Sequence, residues 1–165
     1  MSRNEHFRSN VAGHPTRDVP RIVREADVSW EGNVARGTGS ISAHSSGAFT
    51  GLGYSVATRI GAPEGKTSPE ELLAAAHGAC FTMSLASELT KAGTPPARLD
   101  VRCVITMDEV EGKGHQVVHS QIEAHGTVPD CDDAAFAQAA EAADAGCPLS
   151  ALIRASATVA VSATL

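Results

Sequence analysis

The chain has 165 residues, of which 42% are hydrophobic and 4% aromatic, and its formal net charge is −6. This length suits a single domain that buries a core without disulfide or metal staples. The negative charge and the scarcity of aromatic side chains argue against nucleic acid or an anionic membrane as a partner.

The N-terminal segment, residues 1–19, is polar and contains several prolines without any apolar period. It predicts an arm ahead of one domain at residues 20–165. The segment lacks the apolar stretch of a signal peptide, so we expect a cytoplasmic protein. In that compartment four cysteines are more often redox or catalytic thiols than a disulfide framework. Their spacing contains no Cys-x-x-Cys pair, so no zinc site is predicted.

The first part of the domain predicts three strands. Apolar alternation places them over about residues 22–30, 39–43 and 49–59. Between them lie the turn sequences EGN and SSG. A loop, GAPEGK, then leads to the next element.

Residues 68–93, SPEELLAAAHGACFTMSLASELTKAG, predict a long central helix. Ser68 and Glu71 form a capping box, and Gly93 ends the helix. Between Glu71 and Glu88 no residue carries a fixed charge, and apolar residues occur on every face of the predicted helix. We therefore predict a helix buried on every face, too interrupted by polar residues to span a membrane.

The second part of the domain predicts a hairpin, two helices and a final strand. Strands at about residues 99–107 and 118–128 flank the turn EGKG. An alanine-rich helix follows Asp132, and a short helix begins at Cys147-Pro148 before a strand at residues 157–165. Strands and helices occur in blocks, which predicts an α+β fold with antiparallel sheets around the central helix.

The thiols differ in their predicted surroundings. Cys80 lies in the middle of the helix, where burial raises a thiol's pKa, so a reactive Cys80 needs a cation from elsewhere. Cys147 lies at a helix N-cap, where free N–H groups favour a thiolate. Either could instead be a packing or capping residue. Cys103 points inward on a strand, and nothing near Cys131 indicates a role.

The candidate charges are Glu70, Arg36 and Arg59. Ten helical residues separate Glu70 from Cys80, about 15 Å, so Glu70 cannot touch the thiol of its own chain. It could approach Cys80 of a second copy if two such helices packed antiparallel. Taken alone, each arginine fits an ordinary solvated surface charge.

The histidines give weaker signals. His115, His119 and His125 lie on one predicted strand, where residues four apart are about 13 Å apart, too far to share a metal ion. We predict solvated strand histidines. His77 is interpreted as a helix histidine with a hydrogen-bond partner, with tuning of the thiol as the alternative.

Four segments resemble the OsmC/Ohr family of osmotically inducible and organic hydroperoxide resistance proteins. They are WEGNVARGTGSISAHSSG, GYSVATRI, TSPEELLAAAHGACFTMSLASEL and AGCPLSALIRA. The resemblance runs from about Val23 to the end of the sequence. The pattern Ala-Ala-His-x-x-Cys-Phe is similar to the OsmC branch.

The resemblance implies an intertwined homodimer with two active sites at its interface and a thiol peroxidase that uses no metal or haem. It assigns Cys80 as the peroxidatic and Cys147 as the resolving cysteine. It makes Glu70 the active-site glutamate, Arg36 its arginine partner and Arg59 a further arginine of the OsmC branch. The implied reductant is an external dithiol, a dihydrolipoyl group such as that of a lipoylated protein.

The expected function is therefore reduction of organic hydroperoxides to alcohols in oxidative and osmotic stress defence. It would proceed through a Cys80 sulfenic acid and a Cys80–Cys147 disulfide. Apolar residues around Cys80 favour alkyl or lipid hydroperoxides over hydrogen peroxide. The alternative is a dimeric protein of the same fold that binds apolar ligands and has no peroxidase activity.

Overall fold

The computed structural model describes residues 21–165, and the predicted arm at residues 1–19 lies outside them. The described chain has an α+β fold, as predicted. Its elements are β1 (Asp27–Glu31), β2 (Thr38–Ser42), β3 (Leu52–Tyr54), α1 (Val56–Ile60), α2 (Pro69–Lys91), β4 (Arg98–Val110), β5 (Gly114–Thr127), α3 (Asp133–Gly146), α4 (Pro148–Arg154) and β6 (Thr158–Thr164).

The first sheet is antiparallel and has the order β1-β2-β3. All five residues of β1 are exposed, so this sheet contributes little to the core of its own chain. The third predicted strand is too long: β3 ends at Tyr54 and α1 begins at Val56. The reason is a helix cap, because the Ser55 hydroxyl accepts a hydrogen bond from the Thr58 backbone N–H.

The second sheet has the order β4-β5-β6. The predicted hairpin pairs β4 antiparallel with β5, with an irregularity between Thr106 and Met107. In contrast, β6 runs parallel to β5, which differs from the antiparallel prediction. Helices α3 and α4 connect these two strands, and a crossover of that length allows β6 to return in the same direction as β5.

Helix α2 has the predicted ends. The Ser68 hydroxyl accepts a hydrogen bond from the Glu71 N–H, Pro69 occupies the first turn, and Gly93 follows with a φ of 85°. Helix α2 is long and apolar enough to cross a membrane, but core helices of soluble proteins meet the same criterion. Its buried face packs against β4 and α3.

The other face of α2 departs from the prediction of burial all round. Phe81, Leu85 and Leu89 are buried, whereas Met83 is 68% exposed. Small residues share the exposed side of the helix: Ala75, Ala76 and Ala79. The sheet and the other helices of one chain cover a single side of α2, so the remaining apolar surface faces outward.

Helix α3 completes the core with the apolar stripe that the sequence predicted. Its buried residues are Phe136, Ala139, Ala140 and Ala143. The Phe136 ring lies directly over Gly126 of β5, where a Cβ atom would be 2.6 Å from the ring. Only glycine permits this contact between helix and sheet. The packing fixes α3, and thereby the α3–α4 junction, against α2.

Candidate active site

Two thiols meet where α2 passes the junction of α3 and α4. The Sγ atoms of Cys80 and Cys147 are 3.1 Å apart, and all four cysteines are free. A disulfide needs about 2.05 Å between sulfurs, so these two sulfurs are not bonded but are close to bonding distance. Cys80 is half-buried, and Cys147 is 1% exposed.

The two thiols have opposite electrostatic environments. Burial raises the pKa of Cys80, and its hydrogen bond with Cys147 raises it further, against one bond from the Leu149 N–H. Burial also opposes ionisation of Cys147. There, hydrogen bonds from the Ser150 N–H, the Cys80 thiol and the Ser150 hydroxyl outweigh burial and lower the pKa. Cys147 is the N-cap of α4, as predicted. Among residues 21–165, no positively charged side chain contributes to the pKa shift of Cys80.

A groove of about 330 Å³ opens beside Cys80, between α2 and the C-terminal end of α3. Met83, Ala142 and Ala143 supply apolar walls, and the polar lining residues are Ser84, Ser87, Glu88 and Lys91. Cys80 lines this groove, whereas Cys147 lies behind it. An entering molecule therefore meets the Cys80 sulfur first.

The start of α2 carries an ion pair between Arg59 of α1 and Glu70. The Arg59 Nε is 3.0 Å from Glu70 Oε2, and its Nη2 bonds Oε1, a two-pronged contact. Arg59 holds the pKa of Glu70 below its usual value. The Arg59 Nη2 also lies 3.4 Å from Met107 Sδ. This pair is held in place, but ten helical residues, about 15 Å, separate Glu70 from Cys80.

The predicted partner of Glu70 was Arg36, and within one chain that pairing is not formed. Arg36 lies in the turn between β1 and β2, where its backbone N–H bonds Asn33. Its guanidinium makes no hydrogen bond or ion pair with residues 21–165 and is exposed. Arg59 lies on the short helix α1, where the sequence predicts a strand, and it pairs with Glu70 instead.

His77 has two hydrogen-bond partners, consistent with its interpretation as a helix histidine. Its Nδ1 lies 2.8 Å from the Ser120 hydroxyl and its Nε2 lies 2.9 Å from the Ser150 hydroxyl. All three side chains are fully buried. Neither serine is predicted from the sequence, because β5 and α4 are distant in sequence and no local motif marks them.

The described residues contain no group of three or more His, Cys, Asp or Glu side chains that could hold a metal ion. His119 and His125 bond Thr158 and Thr164 on β6. These contacts agree with strand histidines that do not converge.

Comparison with known proteins decides the family. A family model described as "OsmC-like protein" matches residues 61–162. Peroxiredoxin OsmC of Escherichia coli strain K12 is 34% identical over 138 residues, which cover 84% of this chain and 94% of that protein. The chain belongs to the OsmC family. Peroxiredoxin OsmC of Shigella flexneri is likewise 34% identical to this chain over 138 residues.

Solved structures agree with an OsmC fold. An organic hydroperoxide resistance protein OsmC from Legionella pneumophila has a TM-score of 0.69 at 19% identity, over 88% of this chain and all of that one. OhrB of Bacillus subtilis has a TM-score of 0.66 at 21% identity, over 85% and 98% of the two chains. A Vibrio cholerae protein with captopril in one active site has a TM-score of 0.70 at 21% identity, over 86% and 91%.

Proposed function

We propose that this OsmC family member is a two-cysteine thiol peroxidase that reduces organic hydroperoxides to alcohols. The observation that carries the proposal is the contact between Cys80 and Cys147, with one sulfur on a groove and the other buried behind it. The relatives support it by name, since they include a peroxiredoxin and organic hydroperoxide resistance proteins.

The proposed cycle has three steps. The Cys80 thiolate attacks the terminal peroxide oxygen, the O–O bond breaks, and the alkoxide takes a proton and leaves as the alcohol. The resulting Cys80 sulfenic acid reacts with Cys147, so that an S–S bond forms and water leaves. An external dithiol then exchanges with the disulfide and restores both thiols. We propose a dihydrolipoyl group as that dithiol, with no resident metal or organic cofactor.

A second copy of the chain would supply what Cys80 lacks. In one chain its pKa is raised, and no cation lies beside it among the described residues. The Arg59–Glu70 pair is positioned at the start of α2, and the exposed face of α2 carries small residues. We propose that two α2 helices pack antiparallel in a homodimer, which brings Arg59 and Glu70 of one copy to Cys80 of the other.

The groove supports an alkyl or lipid hydroperoxide as the substrate. Its apolar walls, Met83, Ala142 and Ala143, would bury an alkyl group, which hydrogen peroxide does not have. We therefore expect cumene hydroperoxide to react much faster than hydrogen peroxide. Equal rate constants would contradict this part of the proposal. We also infer that the protein acts in the cytoplasm, where reduced dithiols are available.

The direct test is an intact-mass measurement and a peptide map after one equivalent of cumene hydroperoxide. We expect a loss of two hydrogens and a peptide cross-linked through Cys80 and Cys147. Unchanged mass, or oxidation spread over Cys103 and Cys131, would contradict the peroxidase proposal. The raised pKa of Cys80 in one chain favours the alternative, an apolar-ligand-binding protein. Co-purified lipid in native mass spectra together with an unreactive Cys80 would support that alternative.

Mixed dimers test whether the site is shared. We expect dimers of a Cys80→Ser chain and an Arg59→Ala chain to recover about half of wild-type activity, because one of the two sites is then intact. The matched control combines Cys80→Ser with Cys147→Ser. Both thiols of a pair come from one chain, so no chain of this mixture should form the Cys80–Cys147 disulfide. Failure of the first mixture would contradict a site completed by the second copy.

A further inference from the structure

Cys147 lies at the corner between α3 and α4, and backbone hydrogen bonds connect it to both helices. Its N–H donates to the Asp144 carbonyl at 3.3 Å, at the end of α3, and its own carbonyl accepts from the Ala151 N–H at 3.1 Å, at the start of α4. The Cys147 sulfur reaches Cys80 of α2 from this corner. Its position therefore depends on how α3 and α4 are held relative to each other and to α2.

Two polar contacts hold α4 at this corner. Near its start, the Ser150 hydroxyl lies 2.9 Å from His77 Nε2 of α2. At its end, Arg154 Nη2 donates to Asp144 Oδ2, so an ion pair joins the last residue of α4 to the last turn of α3. The partners of this ion pair are ten positions apart, with Cys147 between them. The proposed cycle gives the ion pair no role.

The Asp144 carboxylate depends on Arg154 for its pairing. The Asp144 side chain is 16% exposed, and within the described part of the chain its Oδ1 is buried without a hydrogen-bond partner. Separating such a carboxylate from its only cationic partner is costly, so the ion pair holds α4 against α3. Arg154 contributes to the pKa shift of neither Cys80 nor Cys147. Its influence on the thiols is therefore one of position and not of thiolate charge.

Disulfide formation requires the two sulfurs to move closer together. They are 3.1 Å apart, and a disulfide needs about 2.05 Å, so one side must move by about 1 Å. Cys80 lies in a helix of 23 residues whose side chains Phe81 and Leu85 are fully buried. Helix α4 has only seven residues. The movement therefore falls on the corner that carries Cys147, which the ion pair closes.

We propose that Asp144 and Arg154 are positioning residues for the resolving step, holding the α3–α4 corner so that Cys147 stays within reach of Cys80. In that step the Cys147 thiolate attacks the Cys80 sulfenic sulfur, the S–S bond forms, the S–O bond breaks, and hydroxide takes a proton and leaves as water. Neither residue of the ion pair takes part in these bond changes. This inference rests on the proposed peroxidase cycle.

The first test needs no hydroperoxide. It measures the equilibrium between the Cys80–Cys147 disulfide and its dithiol in mixtures of reduced and oxidised dithiothreitol, with the disulfide quantified by peptide mapping. Arg154→Gln should lower the equilibrium constant for disulfide formation by about three- to tenfold, because the corner is held less firmly. This change raises the reduction potential of the pair by about 15–30 mV. An unchanged equilibrium would overturn the inference.

Three further variants control this measurement. Arg98→Gln removes an Arg–Asp pair of the same chemistry, with Asp100 on β4, a strand that carries neither thiol of the pair. It should keep the wild-type equilibrium, and a shift equal to that of Arg154→Gln would overturn the inference. Arg154→Lys keeps the charge and should recover part of the loss. Asp144→Asn/Arg154→Gln should be no worse than Arg154→Gln, because it leaves no unpaired carboxylate. If Arg154→Gln does not fold, this double variant decides by the same criterion.

The second test separates positioning from general damage to the fold, by rapid mixing with cumene hydroperoxide. Sulfenic acid formation at Cys80 should keep its wild-type rate in Arg154→Gln, because neither residue of the ion pair lines the groove. Disulfide formation should slow by about three- to tenfold, and Cys80 sulfinic acid should accumulate in excess hydroperoxide. Equal slowing of both steps, or an unchanged second step, would overturn the inference. A shifted dithiothreitol equilibrium in a protein that does not react with hydroperoxide would contradict the peroxidase proposal and still support the positioning of Cys147.

Discussion

The thiol pair and the Arg59–Glu70 ion pair are both assembled within one chain, but they differ in what each lacks. Cys80, in the middle of α2, contacts Cys147 at the N-cap of α4, and no positively charged side chain among residues 21–165 contributes to the pKa shift of either thiol. The ion pair provides a positioned cation at the start of α2, on a partly exposed surface. The proposed redox step is thus local to one chain, whereas the proposed activating ion pair lies about 15 Å from Cys80 within that chain.

The largest expected effect separates the two thiols. Cys80→Ser should reduce hydroperoxide turnover to the background rate, because no sulfenic acid can form on the groove. Cys147→Ser should consume about one equivalent of hydroperoxide per chain and then stop in the absence of a reducing thiol. Hydroperoxide consumption at known protein concentration distinguishes these outcomes. Identical behaviour of the two variants would mean that Cys80 and Cys147 do not act as separate peroxidatic and resolving thiols.

The next effect tests the core that supports the thiol pair. Phe81 adjoins Cys80 in sequence and is fully buried. Phe81→Ala should lower the free energy of unfolding by about 3–5 kcal/mol, measured by chemical denaturation, because it removes a large side chain and leaves a cavity. Leu152→Ala, at a residue that is 63% exposed, should cost no more than about 0.5 kcal/mol. Similar losses in the two variants would show that exposure in one chain does not describe the folded protein.

The ion pair should have a smaller effect, on rate. An arginine beside a thiolate favours its charged form, so Arg59→Ala should slow sulfenic acid formation by about 10- to 100-fold. Arg59→Lys should recover only part of this loss, since lysine cannot reproduce the two-pronged contact with Glu70. Arg36→Ala is the control and should change the rate less. A larger effect of Arg36→Ala would place Arg36, and not Arg59, beside the thiolate.

The smallest effect is the pH dependence of stability at Glu70. Arg59 lowers the pKa of folded Glu70 below the ordinary value of 4.5. The stabilisation is therefore fully present above pH 4.5 and is lost as the pH falls through the folded pKa. The Arg59 side chain is 38% exposed, so we expect a contribution of only about 0.5–1 kcal/mol, weaker at high salt. Denaturation of wild type and Glu70→Gln should differ by a constant amount above pH 4.5 and converge below it. A difference that persists at low pH would contradict this assignment.

Local sequence signals determine the ends of the helices and the fold class of this protein. The ends of α2 follow from Ser68, Glu71 and Gly93, which lie within or beside the helix that they terminate. The N-cap position of Cys147 follows likewise from the adjacent Pro148. The strand alternation and the block order of elements predicted the α+β class. These features depend on neighbours within a few residues, which the sequence displays directly.

Only the tertiary structure decided the features that depend on distant segments. It turned the predicted third strand into α1 after Ser55, and so paired Arg59 with Glu70. It set β6 parallel to β5 and left one face of α2 exposed. It also brought Ser120 and Ser150 to His77 across 43 and 73 residues of sequence. Such contacts are selected by packing of the whole chain, because any buried polar group must find a partner wherever the fold places one.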